Sequence, residues 1–390
     1  MGALCSMKIV VDENMPLSDA FFNGFGTVVH KAGRLITRDD LLDADALFVR
    51  SITKVNQRLL EGTKVGFVGT ATIGVDHVDQ HYLAEQGIVY ASAPGCNASA
   101  VVNYVLTSLL ELEVSRGIDI NAVQVGIVGL GNVGRRLKAA LEIWGVKVVA
   151  CDPLLNPNDI DGLVSMEEAL QSDVLSLHVP MVKEGTHPTH YLMNYERLQN
   201  LKQNAVLINT SRGSVIDNRA LRNVLADRSD LSVVLDVWEN EPMLDRELAS
   251  VVDIATPHIA GYSYDGKVKG TEMVYQAFCR YLGEKASITL TDVIDHALDV
   301  TIDPVVLEKE GKVDALSMVG AVYSIMVDDI GLRSTLKKSR EQRTAAFDQL
   351  RKHYRLRREF STISVRNKEW LVSNVSKQEF KRLQALGFCV

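Results

Sequence analysis

The stretch Val123-Gln-Val-Gly-Ile-Val-Gly129-Leu-Gly131-Asn132-Val133-Gly134-Arg-Arg-Leu137-Lys-Ala-Ala-Leu141 constrains this chain more than any other. A β-branched apolar run enters G-x-G-x-x-G and leaves into a segment with Leu137, Leu141 and Trp144 on one face. That spacing predicts strand, tight turn and helix. Gly129 permits the turn, Gly131 lets backbone approach a pyrophosphate, and Gly134 lets the helix pack close to the strand. The helix N-terminus offers unpaired N–H groups and the positive end of its dipole to phosphate oxygens. A second β-rich run, Val146 to Cys151, ends in Asp152, about twenty residues on, where an acid accepts hydrogen bonds from ribose hydroxyls. Such an acid repels a 2′-phosphate, and no Arg follows it closely, so the expected cofactor is NAD rather than NADP.

A chain of 390 residues is long for one core and suggests two or three domains. With a net charge of −7 a nucleic-acid surface is not the default, and no apolar run approaches the ~18 residues a membrane span needs. The five cysteines are scattered without a C-x-x-C pair, which fits reduced thiols and a cytoplasmic location. No charged n-region followed by an apolar h-region marks a secretory signal. Residues 1–6 read as an added leader ahead of a natural start at Met7.

From Met7 to about Pro94, short apolar runs at Ile9–Val11, Thr27–Val29, Ala46–Val49, Gly66–Val68 and Ile88–Tyr90 alternate with polar, helix-like stretches. This predicts a small parallel sheet with candidate substrate contacts in the loops beyond its carboxyl ends, among them Arg50-Ser51-Ile-Thr53-Lys54 and Thr70-Ala-Thr72. Residues 99–116 carry apolar side chains at helical spacing and lead into a second series of runs at 125–129, 147–151, 174–179, 205–208, 232–235 and 253–255. Six strands with helical crossovers match a doubly wound dinucleotide-binding fold. Their ends carry Asn209-Thr210-Ser211-Arg212-Gly213, Asp236-Val-Trp-Glu239-Asn-Glu241 and Thr256-Pro-His258-Ile-Ala-Gly261-Tyr262, so the fold gathers Arg212, Asp236, Glu241 and His258 at one edge. A helix-like stretch from Gly270 to Leu282 returns the chain to the first domain. The last hundred residues, with Arg and Lys clustered at 333–343 and 351–358, read as a separate α+β domain.

Hydride transfer from an alcohol requires a base for the hydroxyl proton, and histidine with a carboxylate behind it suits that task near neutral pH. His258 with Glu241 supplies the pair. Arg212 supplies a guanidinium able to grip a substrate carboxylate in bidentate fashion. His178 follows a strand and is a candidate lining residue of the nucleotide cleft, whereas His77 reads as a local hydrogen-bonding residue. No set of His, Cys and acidic residues has metal-ligand spacing, and no G-x-S-x-G or Walker loop is present.

Taken in order, these four motifs resemble the D-isomer-specific 2-hydroxyacid dehydrogenases over roughly Met7 to Leu282. The resemblance implies two doubly wound parallel-sheet domains, a substrate domain of residues 7–98 with 265–288 and an inserted Rossmann NAD domain of residues 99–264. It implies Arg212, Glu241 and His258 as the catalytic set. Val11–Pro16, Val49–Val55, Phe67–Asp79, Ala93–Ala98 and Val234–Trp238 resemble one branch of that family more closely, as do Phe347–Tyr354 and Arg357-Arg358-Glu359. That branch oxidises a phosphorylated four-carbon 2-hydroxy acid and carries a C-terminal dimerisation domain, here residues 289–390, so a homodimer is expected. By position, Ser51, Thr72 and Tyr262 would contact substrate. Gly129, Gly131, Asn132, Val133, Gly134, Asp152, Val179, Thr210, Ser211, Arg212, Asp236 and Gly261 would contact NAD. Arg50 or Lys54, joined by a basic residue of the 351–358 run from a partner subunit, is the expected phosphate ligand. The rival readings are a dehydrogenase of 3-phosphoglycerate and a non-catalytic, NAD-sensing partner-binding protein.

Overall fold

The computed structural model of the protein describes residues 7–294 and 298–390; the leader expected at residues 1–6 lies outside them. The chain divides into two compact units, Met1–Asn97 with Ser263–Leu298 and Ala98–Tyr262 with Asp299–Val390.

In the first unit, strands β1 (Met7–Asp12), β2 (Gly26–Lys31), β3 (Ala46–Val49), β4 (Phe67–Thr70) and β5 (Val89–Ser92) form one parallel sheet in the order β2-β1-β3-β4-β5. Strands β3 and β4 are buried throughout, as a parallel sheet covered on both faces requires. On one face Phe22, Phe48 and Phe67 pack against Tyr275 and Phe278 of the helix Tyr264–Leu282. The Phe48 and Phe278 rings meet edge to face, with centroids 5.4 Å apart at 88°. The other face packs Val10, Leu47, Val49 and Val68 against Leu41, Leu59 and Leu83. The helix starts six residues before the expected Gly270, because Ser263 Oγ caps it by accepting from Gly266 N at 2.9 Å. Gly270 is a close contact rather than a break, since a Cβ there would sit 2.9 Å from the Ala71 carbonyl oxygen.

In the second unit, β6 (Gln124–Val128), β7 (Lys147–Cys151), β8 (Val174–Leu177), β9 (Val206–Asn209), β10 (Ser232–Leu235) and β11 (Ile254–Ala255) make a parallel sheet in the order β11-β10-β9-β8-β6-β7. Strand order reverses between β6 and β8, which places the ligand crevice beyond the carboxyl end of β6. The helix Asn132–Trp144 lays Leu137, Leu141 and Trp144 into the core.

Residues 299–390 are mainly helical, with one short parallel pair, β12 (Thr301–Ile302) and β13 (Ser364–Val365). The expectation of a separate domain from 289 onward differs from the contacts, which group 299–390 with the nucleotide-binding sheet. The cause is a shared core. Leu383, Leu386 and Phe388 join the same apolar cluster as Leu137 and Trp144. Arg382 forks onto Glu113 at 2.8 and 2.7 Å and lies 5.1 Å over the Trp144 ring. The helix Ala98–Arg116 is therefore buried on most of its circumference, and Asn103 Nδ2 donates to the Leu386 carbonyl at 2.7 Å. Among the described residues no helix is long and apolar enough to cross a membrane.

A close backbone approach in the nucleotide unit yields a prediction. A Cβ on Gly134 would stand 2.0 Å from the Gly129 carbonyl oxygen, so the helix must shift to admit a methyl group. Gly134→Ala is expected to destabilise the protein by about 1–3 kcal/mol in denaturant titration and to weaken NAD binding measured by fluorescence. Wild-type values for both would contradict the packing account.

Candidate active site

The glycine loop behaves as its spacing predicts. Gly129 has φ 94° and lies where a Cβ would be 2.6 Å from the His178 carbonyl oxygen and 2.9 Å from Val179 Cγ1. At Gly131 a Cβ would meet no protein atom within 4 Å, so the missing side chain leaves room for a ligand rather than for the protein. Gly131 is the N-cap of the helix and supplies no side-chain hydrogen bond, so the first-turn N–H groups of Asn132 and Val133 have no partner within the helix. Asp152 is fixed beside this loop, accepting from Leu130 N at 2.9 Å and Leu154 N at 3.1 Å, with lone pairs left for ribose hydroxyls. An open cradle, a free helix N-terminus and a positioned acid fit a dinucleotide. Burial pushes the His178 ring down to about 3, so it is neutral at physiological pH; it contacts Ser176 Oγ at 2.8 Å and Thr210 Oγ1 at 3.4 Å.

At the end of β9, Asn209 builds the next turn. Its Oδ1 accepts from Ser211 N and Oγ at 3.0 and 2.8 Å, and its Nδ2 donates to the Arg212 carbonyl at 2.9 Å. Arg212 Nη1 donates to the Ser211 carbonyl at 2.8 Å. Gly213 presses this turn onto the next loop, for a Cβ there would be 2.0 Å from the Trp238 carbonyl. In that loop Glu241 Oε1 accepts from Trp238 N at 2.8 Å, and Trp238 Nε1 donates to the Thr256 carbonyl at 2.9 Å. Glu241 Oε2 is 2.7 Å from His258 Nδ1. The carboxylate thus holds Nδ1 as its donor, and Nε2 is the nitrogen left to accept a proton.

His258 has φ 58°, a left-handed conformation that costs a non-glycine residue roughly 1–2 kcal/mol. Asp236 holds it there. Its carbonyl accepts from His258 N at 2.7 Å, its Oδ1 from Ile259 N at 2.8 Å and Thr256 Oγ1 at 2.6 Å, and its Oδ2 from Ala260 N at 2.9 Å. Asp236 is 1% exposed, so its carboxylate is committed to this turn. That role has no signature in the spacing of the chain.

Arg351 is a second residue that spacing did not single out by itself. Its guanidinium carbon lies 5.4 Å from the Tyr262 ring centroid, over the face of the ring. Burial pushes the Glu241 carboxyl up, but His258, through charge and hydrogen bond, and the nearby Arg351 cation outweigh it and hold Glu241 below its ordinary value. Arg212, Asp236, Glu241, His258, Tyr262 and Arg351 all belong to the second unit. The other expected substrate contacts belong to the first. Arg50 and Ser51 follow β3, Lys54 is exposed, and Thr72 Oγ1 contacts Thr70 Oγ1 at 2.8 Å and the Gly74 carbonyl at 2.9 Å. His77 Nε2 lies 2.9 Å from Thr70 Oγ1. Among the described residues no group of three or more His, Cys, Asp or Glu is placed to hold a metal ion.

Comparison with known proteins agrees with this geometry. Residues 104–260 match the model of the D-isomer specific 2-hydroxyacid dehydrogenase NAD-binding domain, and residues 302–387 match a domain of unknown function, DUF3410. Erythronate-4-phosphate dehydrogenase of Pseudomonas entomophila is 48% identical over 366 residues, covering 92% of this chain and 94% of that protein. The enzyme of the same name from Azotobacter vinelandii is 46% identical over 367 residues, covering 92% and 95%. An NAD-bound 3-phosphoglycerate dehydrogenase from Entamoeba histolytica shares the fold with a TM-score of 0.62 at 24% identity, over 74% of this chain and 99% of that one. The chain belongs to the D-isomer specific 2-hydroxyacid dehydrogenase family, in the branch of the erythronate-4-phosphate dehydrogenases.

The lowered carboxyl of Glu241 sets the sign of a pH effect. A depressed folded value means that the stabilisation is fully present above the ordinary 4.5 and is lost as pH falls through the lowered value. Wild type is expected to exceed Glu241→Gln by about 1.5–3 kcal/mol in thermal or denaturant unfolding at pH 7, with the gap closing on acidification below pH ~4.5. A gap that is independent of pH would contradict the charged pair.

Proposed function

We propose that the protein oxidises 4-phospho-D-erythronate to 3-hydroxy-2-oxo-4-phosphobutanoate with NAD, in the biosynthesis of pyridoxal phosphate (vitamin B6). The observation that carries this reading is the 2.7 Å contact between His258 Nδ1 and Glu241 Oε2 on a turn locked by Asp236. His258 Nε2 takes the proton of the C2 hydroxyl, and Glu241 stabilises the imidazolium that forms. Arg212 holds the substrate carboxylate and polarises the oxygen at C2. NAD, when bound, supplies the acceptor for the C2 hydride. Gly129, Gly131, Asn132, Val133, Gly134, Asp152, Val179, Thr210, Ser211, Asp236 and Gly261 are assigned to the cofactor side. For Asp236 the assignment acts through the turn it holds. Ser51, Thr72 and Tyr262 are assigned to substrate, with Arg50 and Lys54 as donors to its phosphate. Arg50 Nη1, sealed from solvent without a hydrogen-bond partner, supports that choice.

The proposal extends to assembly, location and domain roles. Residues 7–98 with 265–288 are assigned to substrate, 99–264 to NAD, and 289–390 to dimerisation. On the helix Ile325–Thr335, Val327 is 54% and Ile330 64% exposed, three residues apart on one face, which supports a homodimer through this region. Free thiols at Cys96, Cys151 and Cys279 fit a cytoplasmic enzyme.

A dehydrogenase of 3-phosphoglycerate would use the same catalytic set, whereas an NAD-sensing protein has no need of a paired proton acceptor. NADH formation followed side by side with 4-phosphoerythronate, 3-phosphoglycerate and lactate separates these readings. The first substrate is expected to be preferred, and preference for either of the others, or no turnover at all, would overturn the assignment. His258→Ala is expected to keep NAD binding and lower kcat at least ~10²-fold; an unchanged kcat would remove His258 as the base.

A further inference from the structure

The arginines between Arg351 and Arg358 divide into three that are structurally spent and one that is not. Arg355 donates to the Ser324 carbonyl at 2.6 Å and pairs with Asp328 at 3.3 Å. Arg357 donates to the carbonyls of Ala100 at 3.0 Å, Ile259 at 3.3 Å and Ala260, and lies 4.7 Å over the Tyr323 ring. Arg358 pairs with Asp299 at 3.4 Å. Arg351 makes no ion pair with a carboxylate among the described residues, and its Nε is sealed from solvent without a hydrogen-bond partner. Glu241, the acid near it, has both oxygens engaged, one by His258 at 2.7 Å and the other by Trp238 N at 2.8 Å. What Arg351 does touch is Tyr262, with its guanidinium over the face of the ring. Tyr262 lies four residues beyond the proposed base.

A guanidinium is charged at every accessible pH, and a buried N–H without an acceptor is costly, so such a group held beside a reaction centre is arranged for an anion that arrives with the substrate. We propose that Arg351, carried on the helix Arg340–Lys352 of the same chain, receives the substrate's phosphate and makes the C-terminal region a determinant of substrate choice. The inference rests on the proposed oxidation of a phosphorylated 2-hydroxy acid and deepens it. With Arg212 assigned to the carboxylate next to the reacting carbon, the anion left for Arg351 is the phosphate. It also moves the C-terminal contribution from a partner subunit to the chain's own helix. Arg351 is here a specificity residue, acting on the far end of the substrate, and Tyr262 aims it.

The test is the ratio of kcat/KM for 4-phosphoerythronate to that for erythronate, in wild type, Arg351→Ala and Arg351→Lys. Arg351→Ala is expected to lower the ratio about 10- to 100-fold, as loss of charge-assisted hydrogen bonds implies, mainly through KM. Arg351→Lys should restore part of it, since a point charge replaces the fork. NADH binding by fluorescence identifies variants that have kept a folded nucleotide unit. If Arg351→Ala fails that check, the Lys variant carries the test, with an intermediate ratio expected. A wild-type ratio in the folded variants would overturn the role of Arg351 and leave the proposed reaction standing. A wild-type enzyme with no preference for the phosphorylated acid would overturn both.

Discussion

The buried carboxylate of Asp236 is the constraint on which the geometry of the site depends. Strand β10 ends at Leu235, and the next residue turns its side chain inward to collect the N–H groups of Ile259 and Ala260 and the Thr256 hydroxyl. Three donors on one carboxylate in a desolvated setting make a stiff junction, since releasing any of them would leave a buried polar group unmatched. The junction holds His258 in a backbone conformation it would not otherwise keep, and Tyr104 extends it by contacting Thr256 Oγ1 at 2.7 Å. Strain at His258 is thereby met by hydrogen bonds one layer behind it.

Glu241 arrives at the same place by a different route. Its loop is pinned from below by Gly213, which admits no Cβ against Trp238, and from the side by the Trp238 indole on the Thr256 carbonyl. Two strand ends, β10 and β11, are therefore joined to the turn after β9 through backbone and indole contacts. The C-terminal region strengthens this from outside. Arg357 donates to the carbonyls of Ile259 and Ala260, immediately after His258, and Phe360 N donates to Asn103 Oδ1 at 3.2 Å. Residues 299–390 are thus part of the scaffold of the turn.

The strands were legible in the sequence because each is a short β-branched burst with polar residues at its carboxyl end, the pattern of a sheet buried on both faces. Glycine spacing was equally legible, since Gly129 and Gly134 sit where backbone meets backbone and Gly131 where it meets nothing. The pairing of His258 with Glu241 followed from strand ends alone. The start of the helix at Tyr264 is hidden in the sequence because Gly270 looks like a breaker until the surface it touches is known. The C-terminal region looks separate in the sequence because composition changes at a boundary there, whereas burial of Leu383, Leu386 and Phe388 in one cluster with Trp144 depends on surfaces distant in sequence. For the same reason spacing could not tell Arg351 from Arg355, Arg357 and Arg358; only the acceptors around each one distinguish them.

A double-mutant cycle on single-turnover NADH formation tests most directly whether Asp236 acts by holding His258. Asp236→Asn, His258→Ala and the double variant are compared with wild type. The account predicts that removing the Asp236 carboxylate slows hydride transfer in the wild-type background and adds almost nothing once His258 is gone. Two losses that add in full would contradict it.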